Sequence, residues 1–258
     1  MGMVNLGTFA IKKEVLMYRR EMCLSRARLL LGDAGMERLG GARVIIFGVG
    51  GVGSWCAESL VRSGVRHLTI VDPDVVCESN INRQIMATWG TVGRVKVEVM
   101  RERLLEINPE ADIRAIRDVY CEGTAGEYDF LGYDFVVDAI DSLKDKALLI
   151  LRACESGAGF VSSMGAALKT DISQVRLVEF WDAKGCPLAR ALRKRFKREG
   201  VRPARKFKCV FSPELRESGV GEPQGEGGKR VNGTLMHVTA TFGLMLAGEV
   251  IRQLTIDK

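Results

Sequence analysis

Two rhythms of apolar residues alternate along this chain. Short apolar runs end the segments ARVIIF (42–47), RHLTIVD (66–72), ADIRAIRD (111–118) and YDFVVDAID (133–141), and each reads as a strand buried in a sheet. Between them the spacing turns helical. Val97, Met100, Leu104 and Ile107 share one face before Asn108-Pro109 ends the helix, and a further helix runs from Leu143 to Cys154. GFVSSMGAA (159–167) and QVRLVEFW (174–181) continue the alternation as strands, and RVNGTLMHVTATFGLMLAGEVIRQL (230–254) predicts a final strand and helix. From Phe9 to Leu39 the pattern is helical, broken at Gly32 and resumed as a short helix from Asp33. Strand–helix alternation of this kind predicts an α/β fold with a doubly wound, mostly parallel sheet, preceded by N-terminal helices and followed by a C-terminal extension of strands and helices.

The first strand runs straight into Gly48, Gly50, Gly51 and Gly53 before a helix begins. Strand, glycine turn and helix in that order are the Rossmann-like phosphate-binding pattern. Gly48 permits the tight turn, Gly50 and Gly51 let backbone N–H groups approach an anion, and Gly53 lets the helix pack on the strand. Asp72 closes the second strand at the separation expected of a ribose ligand. Asp74 reads either as a second ligand or as a turn carboxylate. The crossover that follows carries Asn80, Asn82, Arg83 and Gln84, and Lys96 falls in the first turns of the next helix, so a right-handed connection sets them all at the carboxyl edge of the sheet. An Asn, an Arg and a Lys converging on a phosphate turn suit a triphosphate. The fourth strand ends on Asp138 and Asp141; one of these carboxylates suits Mg²⁺ against nucleotide phosphates, and Asp141 suits both that role and the capping of the next helix.

Composition narrows the classes. The chain has 258 residues, 47% hydrophobic and 27% charged, enough for one large α/β domain over 1–258: helices at 9–40, a nucleotide-binding core at 42–166 and a C-terminal part at 167–258. Seven cysteines are scattered with no CxxC pair, so no zinc ribbon is expected. The N-terminal stretch lacks a secretory pattern, and His237, Thr239, Thr241 and Glu249 mark 234–251 as a core helix and not a membrane span, so a cytoplasmic protein is expected. The net charge is +6, and its placement is uneven: 190–208 holds ten Lys or Arg against one Glu, with Phe196 and Phe207 interleaved. Arg190, Arg193, Lys194, Arg195, Lys197 and Arg198 form either a solvated basic face or a contact for nucleic-acid phosphates. The Gly-, Pro- and Glu-rich segment 213–229 reads as a mobile loop.

GVGGVG, IVDPDVVCESNINRQ, the TVGRVK approach to Lys96, INPE and VVDAID together resemble the ubiquitin-activating-type (ThiF-type) adenylyltransferase superfamily. The resemblance implies that ATP binds over Gly48, Gly50, Gly51 and Gly53, with Asp72 on the ribose. It implies further that Ser79, Asn80, Asn82, Arg83, Lys96 and Ser142 line the nucleotide site and that Asp141 holds Mg²⁺. Arg28, with Arg26 its neighbouring alternative, matches an arginine that reaches across a homodimer to the partner's triphosphate, which makes Arg28, Arg83, Lys96 and Asp141 the catalytic set. SSMGAALKTD, CPLARALRKRFK, KCVFSPE and VTATFGLMLAGEVI extend the resemblance over nearly the whole chain, to the branch that dehydrates threonylcarbamoyladenosine in tRNA. Some of that branch carry a cysteine before the final helix, where this chain has Val231, Asn232 and Gly233. The implied partners are tRNA and a sulfur-transfer accessory protein, with no membrane. Activation of a ubiquitin-like sulfur-carrier tail is the alternative, which the missing CxxC pairs disfavour, and an NAD-dependent oxidoreductase leaves Asn80, Arg83 and Lys96 without a role.

Overall fold

The computed structural model describes the backbone of residues 6–217 and 232–255, with side chains from Met22 onward. A seven-stranded sheet runs through it in the order β3-β2-β1-β4-β5-β7-β6. Its strands are β1 (Arg43–Phe47), β2 (His67–Val71), β3 (Asp112–Ile116), β4 (Phe135–Asp138), β5 (Gly159–Ser163), β6 (Arg176–Glu179) and β7 (Lys208–Phe211). All pairs are parallel except β6 against β7. The fold is therefore the mostly parallel, doubly wound α/β sheet that the alternating pattern predicts.

Helices cover both faces, as strands apolar on both sides require. α2 (Gly53–Ser63), α3 (Lys96–Ile107) and α6 (Met236–Thr255) bury Leu60, Val97, Met100, Phe242 and Leu246 on one face. α4 (Leu143–Glu155) and α5 (Pro187–Glu199) bury Leu149, Ile150, Leu192 and Phe196 on the other. α1 (Leu6–Gly41) has non-helical backbone at Gly32, with φ 66° and ψ 173°, where the sequence predicts the break. Among the described residues no helix is long and apolar enough to cross a membrane.

Three sequence expectations need correction or fall outside the description. The basic segment 190–208 spans two elements: α5 ends at Glu199, with Gly200 after it in the left-handed conformation, and Lys208 opens β7, a strand between β5 and β6 that the pattern does not predict. Its four residues follow a Lys/Arg run, and Cys209, Val210 and Phe211 are too few to register as an apolar run beside it. Residues 230–231 of the predicted final strand, and 218–229 of the loop predicted mobile, lie outside the described residues; 232–235 carry no ladder and lead directly into α6.

The order of strands places a crevice at the carboxyl ends of β1 and β4, where the chain reverses its winding direction. Gly48 has φ +88°, and a Cβ there would lie 2.7 Å from the carbonyl oxygen of Ala139. A Cβ at Gly53 would lie 1.8 Å from the carbonyl oxygen of Gly48. Both positions are therefore closed to any side chain.

Two buried carboxylates tie the helices to one another and to the sheet. Glu58 of α2 accepts from Arg103 of α3 at 2.5 Å and from Arg62 at 2.8 Å. Glu249 of α6 accepts from Arg252 at 2.8 Å and faces Lys208 of β7 at 3.3 Å. Burial raises both carboxyls, and the cationic partners overcome it, so each titrates below the ordinary glutamate value. Such groups add stability above their unfolded pKa of about 4.3, and that stability is lost as pH falls through the depressed folded value. The melting temperature is thus expected to drop on acidification below about pH 4.5, and Glu58→Gln to flatten that acid limb, both read by thermal denaturation across pH. Gly53→Ala is expected to cost about 1–3 kcal/mol or more from the clash with the turn, and to abolish nucleotide binding, measured by denaturant melts and ATP titration.

Candidate active site

A cavity of about 380 Å³ opens over the glycine turn, inside the usual range for small-molecule sites. Its floor is Gly48 and Gly50; Asp72 and Asp74 after β2, Asn80, Arg83 and Gln84 of the crossover, and Lys96 at the start of α3 form one wall. Asp118, Val119 and Tyr120 after β3 form another, and Ala139 to Ser142, between β4 and α4, close the third side. The structure thereby brings Gly48, Gly50, Asp72, Asn80, Arg83, Lys96, Asp141 and Ser142 of the expected set around one space. They arrive there because each sits just past a strand's carboxyl end or in the crossover leaving it.

Asp72 holds the turn together. Its Oδ2 accepts the N–H of Val49 at 2.8 Å and its Oδ1 the N–H of Asp74 at 3.0 Å, which binds the loop after β1 to the loop after β2. Burial pushes the Asp72 carboxyl up, against the pull of Lys96. Lys96 is only 5% exposed, and its Nζ donates to Asp74 Oδ2 at 2.7 Å while its N–H donates to the Asp74 carbonyl at 3.0 Å. Between the two readings left open for Asp74, the geometry makes it the counter-ion that holds Lys96 at the cavity wall.

Arg83 is held by its neighbours. Its Nη1 donates to the Ser79 carbonyl at 2.7 Å and to Asn82 Oδ1 at 2.9 Å, and burial lowers its pKa. Ser79 and Asn82 thus orient Arg83 and lie outside the cavity lining, and Asn82 also donates to the Thr234 carbonyl at 3.0 Å. Gly51 lies outside it too: a Cβ there would meet the Arg83 stem at 3.1 Å. Asn80, buried, accepts the N–H of Cys77 through Oδ1 at 3.2 Å and lines the cavity.

The turn after β4 differs from expectation in one respect. Ser142, not Asp141, caps α4: its hydroxyl donates to Asp145 Oδ2 at 2.6 Å and accepts the Asp145 N–H at 3.5 Å. Asp141 is exposed at the cavity rim, so a short hydroxyl takes the capping position and the carboxylate takes no part in the cap. Asp138, read beside Asp141 as a metal candidate, is fully buried and ion-paired to Lys146. Among the described residues no group of three or more His, Cys, Asp or Glu is placed to hold a metal ion. One carboxylate beside a phosphate site nevertheless fits Mg²⁺, which is held by one or two carboxylates together with substrate phosphates and water.

Gln84 and the loop after β3 line the cavity, and sequence reasoning left both without a role. Gln84 is buried, lines the cavity, and its Oε1 has no protein partner. Its position beside Arg83 in the crossover was the available signal. Tyr120 packs edge-on against Phe47 at 4.7 Å, and Tyr128 donates to Asp118 at 2.7 Å. Long-range aromatic contact thus shapes that wall, and no local pattern carries it.

Arg28 lies on α1, ion-paired with Asp33 at 3.4 Å, and does not line the cavity. On α5, Arg193 donates to the carbonyls of Phe180 and Ala183 at 3.1 Å each and lies over the Phe180 ring, so it serves packing. Arg195 and Arg198 pair with Glu199, while Arg190, Lys194 and Lys197 stand exposed.

A ThiF family model matches residues 24–258. Over 242 residues the chain is 34% identical to the tRNA threonylcarbamoyladenosine dehydratase of Bacillus subtilis, covering 90% of this chain and 94% of that one. Over 242 residues it is 35% identical to the enzyme of the same name from Escherichia coli, covering 87% and 90%. The crystal structure of the E. coli dehydratase in complex with AMP superposes with a TM-score of 0.81 at 33% identity, covering 91% of this chain and 94% of that one. The same protein in complex with ATP gives a TM-score of 0.81 at 32% identity over the same shares. With its sheet order, its glycine turn and this similarity over most of its length, the chain belongs to the ThiF family.

Proposed function

We propose that this chain is a cytoplasmic, ATP-dependent tRNA threonylcarbamoyladenosine dehydratase. The observation that carries the reading is one cavity in which Asp72, Asn80, Arg83, Lys96 and Asp141 converge on a glycine turn, in a chain similar over most of its length to dehydratases of that name. An oxygen of the threonyl carboxylate attacks the α-phosphorus of ATP and pyrophosphate leaves. A nitrogen or oxygen of the same side chain then attacks the acyl carbon, closing a ring, and AMP leaves. The net loss from the base is one water.

The carboxylate is already ionised near neutral pH, so the first step needs charge neutralisation and no general base. With the Gly48 and Val49 N–H groups already bonded to Val71 and Asp72, the N–H groups that follow in the turn, from Gly50 onward, meet the phosphates, and Asp72 accepts from the ribose. Arg83 and Lys96 offset charge at the phosphates, Lys96 exchanging or sharing its bond to Asp74. Asp141 would hold Mg²⁺, which when bound screens the triphosphate and supports departure of pyrophosphate. The second step is intramolecular, and internal nucleophiles reach effective molarities on the order of 10⁵ M, so no enzyme thiol has to carry the acyl group. Burial is consistent with that: the Cys209 thiol is pushed up to about 12 and the Cys154 thiol to about 11. Arg28 would enter the neighbouring site of a homodimer, and the exposed Arg190, Lys194 and Lys197 would contact tRNA phosphates.

Incubation with ATP and tRNA bearing the modified base should convert threonylcarbamoyladenosine to its dehydrated form with release of AMP, followed by mass spectrometry of the nucleosides. An unchanged base and no AMP would sink the reading. Asp141→Ala should lower AMP formation by about 10²-fold or more with an unchanged melting temperature. If Arg28 acts in trans, mixing inactive Arg28→Ala with inactive Asp141→Ala subunits restores turnover, because one site of the mixed dimer keeps both groups. Charge reversal at Arg190, Lys194 and Lys197 should weaken tRNA binding and reduce the salt slope by about 0.7–0.9 for each phosphate that the variant no longer neutralises; unchanged affinity would make α5 a solvated face.

A further inference from the structure

Beneath the cavity, and outside its lining, lies a polar seam sealed from solvent. Asp138 ends β4, Lys146 lies on α4 and Ser162 on β5, and all three are 0% exposed. Asp138 Oδ2 accepts from Lys146 Nζ at 2.7 Å and from the Ser162 hydroxyl at 2.6 Å, while its Oδ1 accepts the N–H of Ile140 at 3.1 Å. One carboxylate thus joins a strand, the next strand, a helix and the turn that connects them.

We infer that Lys146 and Ser162, acting through Asp138, are positioning residues for the Asp141 turn. A buried ion pair is costly to desolvate and adds little net stability over apolar packing, so its presence at this point calls for a geometric reason. The turn is short: four residues separate the end of β4 from α4. Its N-terminal half is pinned by the Ala139 N–H on the Phe47 carbonyl at 2.8 Å and by the Asp138–Ile140 bond. Its C-terminal half is pinned by the Lys146 N–H on the Ser142 carbonyl at 2.9 Å and by the Ser142 cap. Lys146 therefore grips both sides, with its backbone on Ser142 and its side chain on Asp138. Between the two anchors Asp141 has no intramolecular partner among the described residues, so its direction is set by the backbone the seam fixes. None of the three seam side chains reaches the cavity, so none can contact ATP directly.

The inference rests on the adenylation reading for its effect on rate, and its test includes a readout independent of that reading. Lys146→Met alone strands a buried carboxylate and is expected to be lost to unfolding; the charge-neutral pair Asp138→Leu with Lys146→Met, and Ser162→Ala, are the informative variants. Asp138→Leu removes the Oδ1 acceptor, so in the neutral pair the Ile140 amide should exchange about tenfold faster or more, while Val136 and Val137 inside the β4 ladder stay protected. The affinity for ATP, measured by titration, should stay within about threefold, while AMP formation falls about tenfold to 10²-fold; Ser162→Ala should shift both in the same direction by less. Unchanged Ile140 exchange in the folded double variant, or faster exchange spread evenly along β4, would overturn the positioning role. Failure of the wild-type chain to form AMP would overturn the adenylation reading and leave the exchange result standing.

Discussion

Three backbones meet at Gly48, and the rest of the site depends on that meeting. Its N–H donates to the Val71 carbonyl of β2 at 2.8 Å, and its Cα faces the Ala139 carbonyl past β4. α2 starts at Gly53 directly above the Gly48 carbonyl. Hydrogen in place of Cβ at these two residues lets two strands and a helix converge within van der Waals distance. The turn is thereby held by the sheet itself, and Asp72 completes the frame by accepting the Val49 N–H. A backbone fixed in this way costs little reorganisation when its remaining N–H groups are to receive an anion.

Charge around this frame is arranged in pairs. Lys96 rests on Asp74, Arg83 on the Ser79 carbonyl and Asn82, and Asp138 on Lys146. Isolated charges at such depth would be heavily penalised, so each cation comes with an acceptor that holds it in place before any ligand arrives. Asp74 and Lys96, which line the cavity, are joined by a single side-chain contact, whereas Asp138 is closed on every side. The same sorting applies on α5, where Arg193 is spent on the carbonyls of Phe180 and Ala183 and the outward Arg190, Lys194 and Lys197 stay exposed to solvent.

The alternating apolar pattern determined the α/β class, the parallel core strands and the helix break at Gly32, because these are local consequences of side-chain period and glycine geometry. It also determined that Asp72, Asn80, Arg83, Lys96 and Asp141 belong to one edge, since in a parallel right-handed sheet everything just past a strand's carboxyl end lies on the same side. Only the tertiary structure decided the finer assignments: Asp74 as partner of Lys96, Ser142 as the cap of α4, Ser79 and Asn82 as supports of Arg83, Arg193 as a packing group, and β7 as an interior strand. Each of these turns on which atom lies within about 3 Å of which other, a distance between residues far apart in the chain or set by a turn's exact path. Periodicity carries which face a residue takes; it carries nothing about what waits on the other side.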